Sequence, residues 1–294
     1  MKLISYRLGD ETCAGAVVGD RALDLAPVIA SLPRALVGDA RGMTALLRGG
    51  AEALVAARAY ADERRGSHAP IPLARVELLA PVPRPGKIVA VGRNYADHAA
   101  ETGIKRLEAP RIIAKLSSSV VGPGAVVVRP EGVTKLDYEC ELAVMIGRPT
   151  KRIDREEALN AVAGYTILDD VSAREFQFDV SPAQTTFAKS MDGFCPMGPW
   201  LVTRDEIADP QNLSIRTWLN GERVQDASTR DMTFPVGALI EYISRYMTLE
   251  PGDVIATGTP AGVGAFRTPP RWLQPGDRLK FEISGIGVLE HTIG

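Results

Sequence analysis

The sequence predicts an α+β fold, with a small N-terminal α+β domain over residues 1–75 and a larger, strand-rich domain over 76–294. Three observations predict it. Short apolar runs separated by turn signals open the chain; leucines and alanines at helical spacing follow over 43–65; beyond residue 76, β-branched runs end repeatedly at glycines or acids, with few helical stretches between them.

At 294 residues the chain is long enough to bury a sizeable core, and 34 Lys+Arg against 36 Asp+Glu leave a formal charge of −2. No basic field points to nucleic acid or to a membrane surface, so the expected partners are small molecules or copies of the chain itself. Cys13, Cys140 and Cys195 have no metal-type spacing, and their odd number argues against a disulfide framework. The start lacks the apolar core of a signal peptide and no stretch has bilayer-spanning length, which makes the cytoplasm the expected location.

In order, Leu3-Ile4-Ser5-Tyr6, residues 14–18 and residues 22–25 read as a β-meander, and 43–65 as one or two amphipathic helices. Pro70-Ile71-Pro72 and Pro81-Val82-Pro83-Arg84-Pro85-Gly86 bracket a short strand over 76–79 and place the boundary near 75. A buried strand then ends at Gly92, followed by a polar turn and a short helix carrying His98 and Glu101. Strands are expected over 125–129, 136–147, 164–170 and 214–219, the last turning at Asn220-Gly221. Helices are expected over 154–163, with Asp154 as N-cap and Glu157 in capping-box position, and over 235–246. The glycine-rich segment 257–264 follows another buried strand but lacks the Gly-Lys-Ser/Thr ending of a phosphate-binding loop.

The chemistry centres on Leu136–Gly147, where Asp137, Glu139 and Glu141 alternate and so would share one face of a strand. Adjacent carboxylates repel unless a cation sits between them or some are protonated. A divalent metal held by Glu139, Glu141 and a later acid answers that cost; a solvated edge strand is the alternative. Asp170 is the candidate third ligand, with Asp169 as competitor. Cys140 falls between the glutamates, faces away, and reads as a small buried apolar residue. His98 and Glu101 are three apart and could form a carboxylate-assisted base or a plain surface pair. Lys189 stands alone in an irregular Gly/Pro-rich stretch, where solvation is the simpler reading.

Together these pieces resemble the fumarylacetoacetate hydrolase family over roughly residues 76–294. The matching motifs are Val91-Gly92-Arg93-Asn94-Tyr95 with His98 and Glu101, Asp137-Tyr138-Glu139-Cys140-Glu141-Leu142-Ala143, Asp170-Val171-Ser172-Ala173-Arg174 with Gln177, Ala188-Lys189-Ser190, and Thr257-Gly258-Thr259-Pro260 with Gly262-Val263-Gly264. The resemblance implies a mixed β-roll and a homodimer. It also implies Mg²⁺, with Mn²⁺ or Ca²⁺ as alternatives, bound by Glu139, Glu141 and Asp170. Substrates would be 2,4-dioxo acids of the acylpyruvate type or relatives such as oxaloacetate. His98 and Glu101 would be the general base on a lid, Lys189 would stabilise developing charge with Arg174 and Gln177, and Arg93, Lys115 and Thr259 would line the pocket.

Two departures stand out: Gln184-Thr185 where many relatives have Gln-Trp, and Asp169-Asp170 where Asn-Asp is usual. The tail 267–273 and the N-terminal part look most like the subgroup containing bacterial oxaloacetate decarboxylases and tautomerases. Three activities follow as expectations: a metal-dependent C–C hydrolase first, an oxaloacetate decarboxylase or keto–enol tautomerase second, a non-catalytic scaffold third.

Overall fold

The computed structural model describes residues 1–64, 70–95 and 107–294. The N-terminal meander is β1 (Lys2–Leu8), β2 (Glu11–Val18) and β3 (Arg21–Asp24), followed by short helices α1 (Ala26–Ala30) and α2 (Arg34–Val37). The amphipathic stretch forms two helices, α3 (Gly42–Arg48) and α4 (Gly50–Glu63), because the glycine pair at 49–50 divides it. β4 (Ile71–Pro72) and β5 (Glu77–Leu79) then pair with β3 and β1.

The strand-rich part begins with the antiparallel pair β6 (Ile88–Gly92) and β7 (Arg111–Lys115). β8 (Val120–Val121) and β9 (Val126–Val127) are brief, so only two residues of the expected 125–129 strand pair in a sheet. β10 (Leu136–Asp137) is followed by β11 (Cys140–Ile146), β12 (Val162–Asp169), β13 (Ser172–Ala173), α5 (Glu175–Phe178), α6 (Thr185–Ala188) and β14 (Cys195–Thr203). The hairpin β15 (Ser214–Leu219) and β16 (Glu222–Ser228) turns at Asn220 and Gly221, both at positive φ, as a tight two-residue hairpin requires. α7 (Val236–Tyr246), β17 (Val254–Ala256), β18 (Arg278–Ile283) and β19 (Gly287–Ile293) complete the chain.

The helix expected over 154–163 does not form. A 3-10 helix spans Ala158–Ala161 and β12 begins at Val162, since the Ala161 carbonyl accepts from Gly147 N (2.7 Å) and draws the chain into the sheet. Where the predicted pattern is a full apolar stripe, it holds: in α7, Val236, Leu239, Ile240 and Ile243 are buried.

One large mixed sheet runs β4-β3-β2-β1-β14-β12-β11-β17-β6-β7, and a second runs β16-β15-β18-β19-β9. β11 is buried on both faces. Leu142, Val144 and Ile146 join the core shared with the second sheet, whereas Ala143 and Met145 join the core under the N-terminal helices. A doubly buried strand cannot keep an acid comfortably on either face, and this one carries Glu141.

Candidate metal centre

Glu139, Glu141 and Asp170 converge at the strand ends, each offering a carboxylate oxygen within 4.8 Å of the others. Glu141 lies on β11 beside Leu168 of β12, and Asp170 follows the end of that strand, so the β11–β12 register brings them together. Asp170 N donates to the Glu139 carbonyl (2.9 Å), which fixes the third carboxylate against the other two. All three side chains are buried.

The alternation read from the sequence breaks at 138–139, between β10 and β11. Asp137 therefore does not share the site face of Glu139 and Glu141. It accepts from Arg174 Nε (2.9 Å), Gly264 N (2.7 Å) and Ala265 N (3.0 Å) and ties down the glycine-rich loop. Glu141 holds the other end of that loop by accepting from Gly258 N (2.7 Å); Gly258 has φ +97°, and a Cβ there would meet Asn94 Cβ at 2.9 Å. Tyr138 adds a third tether by donating to the Gly262 carbonyl.

Asp169 and Asp170 differ in place: Asp170 falls within the carboxylate cluster with Glu139 and Glu141, whereas Asp169 points away toward the backbone of Glu139 and toward β19. Both Asp169 oxygens are committed, one accepting from Glu139 N (2.8 Å) and the other facing His291 Nε2 (2.7 Å) on β19, both side chains fully buried. Asp169 thus orients the backbone of Glu139. The sequence carried a signal for His291: the alternation Leu289, His291, Ile293 points it into the core, where an imidazole needs a partner.

Lys189 caps α6 and is buried. Its ammonium donates to Glu139 Oε2 (2.9 Å), Asp170 Oδ2 (2.6 Å) and Ser172 Oγ (2.8 Å). Lys115 Nζ donates to Asp170 Oδ1 (2.6 Å) and to the Phe194 and Lys189 carbonyls. Arg174 bridges Asp137 and Glu139 (2.7 Å) and bonds Gln177 (3.0 Å), and Thr259 Oγ1 accepts from Gln225. Burial opposes the charge on Lys189, but Asp170 and Glu139 outweigh it and hold the ammonium above its ordinary range. Glu141 is pushed well up by burial and by the neighbouring Asp170 and Glu139 charges.

Around the site, five of the buried acids (Asp137, Glu139, Glu141, Asp169, Asp170) meet the buried cations Lys115, Arg174 and Lys189 and, at Asp169, His291. Three carboxylates held within 4.8 Å of one another, an all-oxygen donor set, fit a hard divalent ion. Arg93, Arg174, Gln177, Lys189 and Thr259 line one cavity with Glu139 and Asp170. A larger cavity elsewhere, about 800 Å³ between α4 and Gly147, lacks such a carboxylate cluster; chemistry rather than size marks the site. His98 and Glu101 lie outside the described residues.

The model of the fumarylacetoacetate (FAA) hydrolase C-terminal domain matches residues 87–294. The chain belongs to the fumarylacetoacetate hydrolase family. Within the family, it is 46% identical over 223 residues to human "Oxaloacetate tautomerase FAHD2A, mitochondrial", covering 76% of this chain and 71% of that one. Maleylpyruvate hydrolase from Sphingobium sp. SYK-6, solved with manganese(II) and pyruvate, superposes with a TM-score of 0.81 at 32% identity, covering 100% of this chain and 98% of the other. A 5-carboxymethyl-2-hydroxymuconate delta-isomerase from Mycobacterium smegmatis gives 0.76 at 32% identity, covering 100% and 99%. The fumarylacetoacetate hydrolase fold is thus the mixed β-roll observed. No helix among the described residues is long and apolar enough to cross a membrane.

Proposed function

We propose that the chain is a divalent-metal-dependent hydrolase that cleaves a C–C bond in a 2,4-dioxo acid of the acylpyruvate or fumarylpyruvate type, with Mg²⁺ or Mn²⁺ as the ion. The observation that carries it is the buried convergence of Glu139, Glu141 and Asp170, each offering a carboxylate oxygen within 4.8 Å of the others. These three carboxylates would hold the ion, which when bound supplies an electrophile for the 2-oxo acid end of the substrate.

The chain's own groups supply the rest. His98, assisted by Glu101, takes a proton from the water that attacks the distal carbonyl carbon. The bond between that carbon and its neighbour breaks, its electron pair passes to the 2-oxo acid fragment as an enolate, and a proton returned to carbon releases two acids. Lys189, its three protons engaged by Glu139, Asp170 and Ser172, keeps a positive charge in the cavity and fixes the carboxylates. Arg174 does the same for Glu139, and Gln177 and Thr259 bound the cavity.

A second reading, keto–enol tautomerisation or decarboxylation of oxaloacetate, is supported by the name of the human relative and needs no attacking water. A paired assay separates them. With Mn²⁺, loss of the enol absorbance of a simple acylpyruvate with release of two acids, abolished by EDTA, is the expected outcome. Turnover of oxaloacetate alone, above the metal-only background, would replace the hydrolase by the second reading. A homodimer and a cytoplasmic location belong to the same proposal.

A further inference from the structure

The cations around the cavity fall into two groups. Lys115, Lys189 and Arg174 each donate to buried carboxylates of the protein. Arg93 and Arg111 line the same cavity and, among the described residues, neither forms an ion pair or a side-chain hydrogen bond. They are neighbours by construction: Gly92 of β6 pairs with Arg111 of β7, and a Cβ on Gly92 would stand 3.4 Å from Arg111 Cδ, so the arginine stem crosses over that glycine. Arg93 follows with φ +60°, a left-handed conformation that an L side chain adopts only against a steric cost. Burial and then the Arg111 charge push the Arg93 guanidinium down from its ordinary range, as expected for a partly buried cation beside a like charge.

We propose that Arg93 and Arg111 form a subsite for a second carboxylate, so that the chain selects 2-oxo diacids over 2-oxo acids with an alkyl end. This rests on the metal-dependent 2-oxo acid reading above and extends it to the far end of the substrate. Two guanidinium forks suit a carboxylate through parallel N–H donors, and the anion would relieve their mutual repulsion. Val91, Ile113 and Phe266 line the same cavity and supply an apolar wall for the hydrocarbon between the two ends.

The test is calorimetric titration of the Mn²⁺-loaded full chain with 2-oxoglutarate and with 2-oxopentanoate, which differ only in carrying a carboxylate or a methyl group at the far end. The wild type should prefer the diacid about tenfold or more, as charge-assisted hydrogen bonds predict. Arg111→Ala, at an exposed position, and Arg93→Asn, which tolerates the left-handed backbone, should each erase most of that preference, weakening 2-oxoglutarate far more than 2-oxopentanoate. Equal affinity of the wild type for the two acids, or an undiminished preference in the double variant, overturns the subsite alone. Absence of metal-dependent binding of either acid removes the reading beneath it, and the subsite with it.

Discussion

Glu141 sits where an unneutralised charge is most costly, on a strand buried on both faces and within reach of two other carboxylates. Two opposite effects on stability follow for Glu141→Gln. Without metal, losing the repelled charge should raise stability by about 1–3 kcal/mol, read from urea unfolding. Added Mn²⁺ should stabilise the wild type, by about 2.7 kcal/mol at a hundredfold excess over its dissociation constant, and should stabilise the variant far less. A variant that still gained the full increment would place the ion elsewhere. Glu139 and Glu141 were legible in the sequence because one alternates with the other beside an apolar run. Asp137 misled because the chain turns at 138–139, and no local pattern announces that break. Asp169 and Asp170 could not be separated locally either, since the group that engages Asp169 is His291, 122 residues away.

At the scale of elements, the same short device appears twice. Pro251-Gly252-Asp253 and Pro275-Gly276-Asp277 each place glycine at positive φ and return the aspartate to the amide three residues earlier, Glu250 N and Gln274 N, both at 2.7 Å. These turns introduce β17 and β18, and both were readable from the Pro-Gly-Asp motif. Burial alone would raise the Asp277 carboxyl, but Arg271, the Gln274 amide and Asn220 outweigh it and hold it below the ordinary range. A lowered folded value means that the stabilisation is complete above the unfolded carboxylate's range and fades as pH falls through the folded value. Asp277→Asn should therefore cost about 1–3 kcal/mol at neutral pH, and its gap from the wild type should narrow below about pH 4 in urea unfolding at stepped pH. The 154–163 segment was not readable in this way: its residue types match a helix start, but the chain closes as a 3-10 helix over Ala158–Ala161 and enters the sheet at Val162, a pairing with no local mark.

Across the whole molecule, β7 is an edge strand of the large sheet with two different faces. Arg111, Ile113 and Lys115 share one face, with Ile113 and Lys115 buried and Arg111 at the exposed mouth of the cavity, whereas Ile112, Ala114 and Leu116 form an exposed apolar face, Leu116 at 53% with Phe187 nearby at 52%. An apolar outer face on a sheet edge is a surface that a second copy would cover, which supports the homodimer. Sedimentation equilibrium should give twice the chain mass, and Leu116→Glu should weaken association roughly tenfold or more; a monomeric wild type would remove this proposal. The overall α+β class was legible because strand periodicity survives context. The joining of the meander to the larger part through Lys2↔Val202 and Leu3↔Leu201 was not, because pairing across two hundred residues leaves no local mark. The inner face of β7 carries a last consequence. Lys115 at one end is locked into the carboxylate cluster, whereas Arg111 at the other is bonded to no protein acid among the described residues. Heritable change at position 111 can thus alter which molecules a descendant consumes while the reaction machinery four residues away passes on intact.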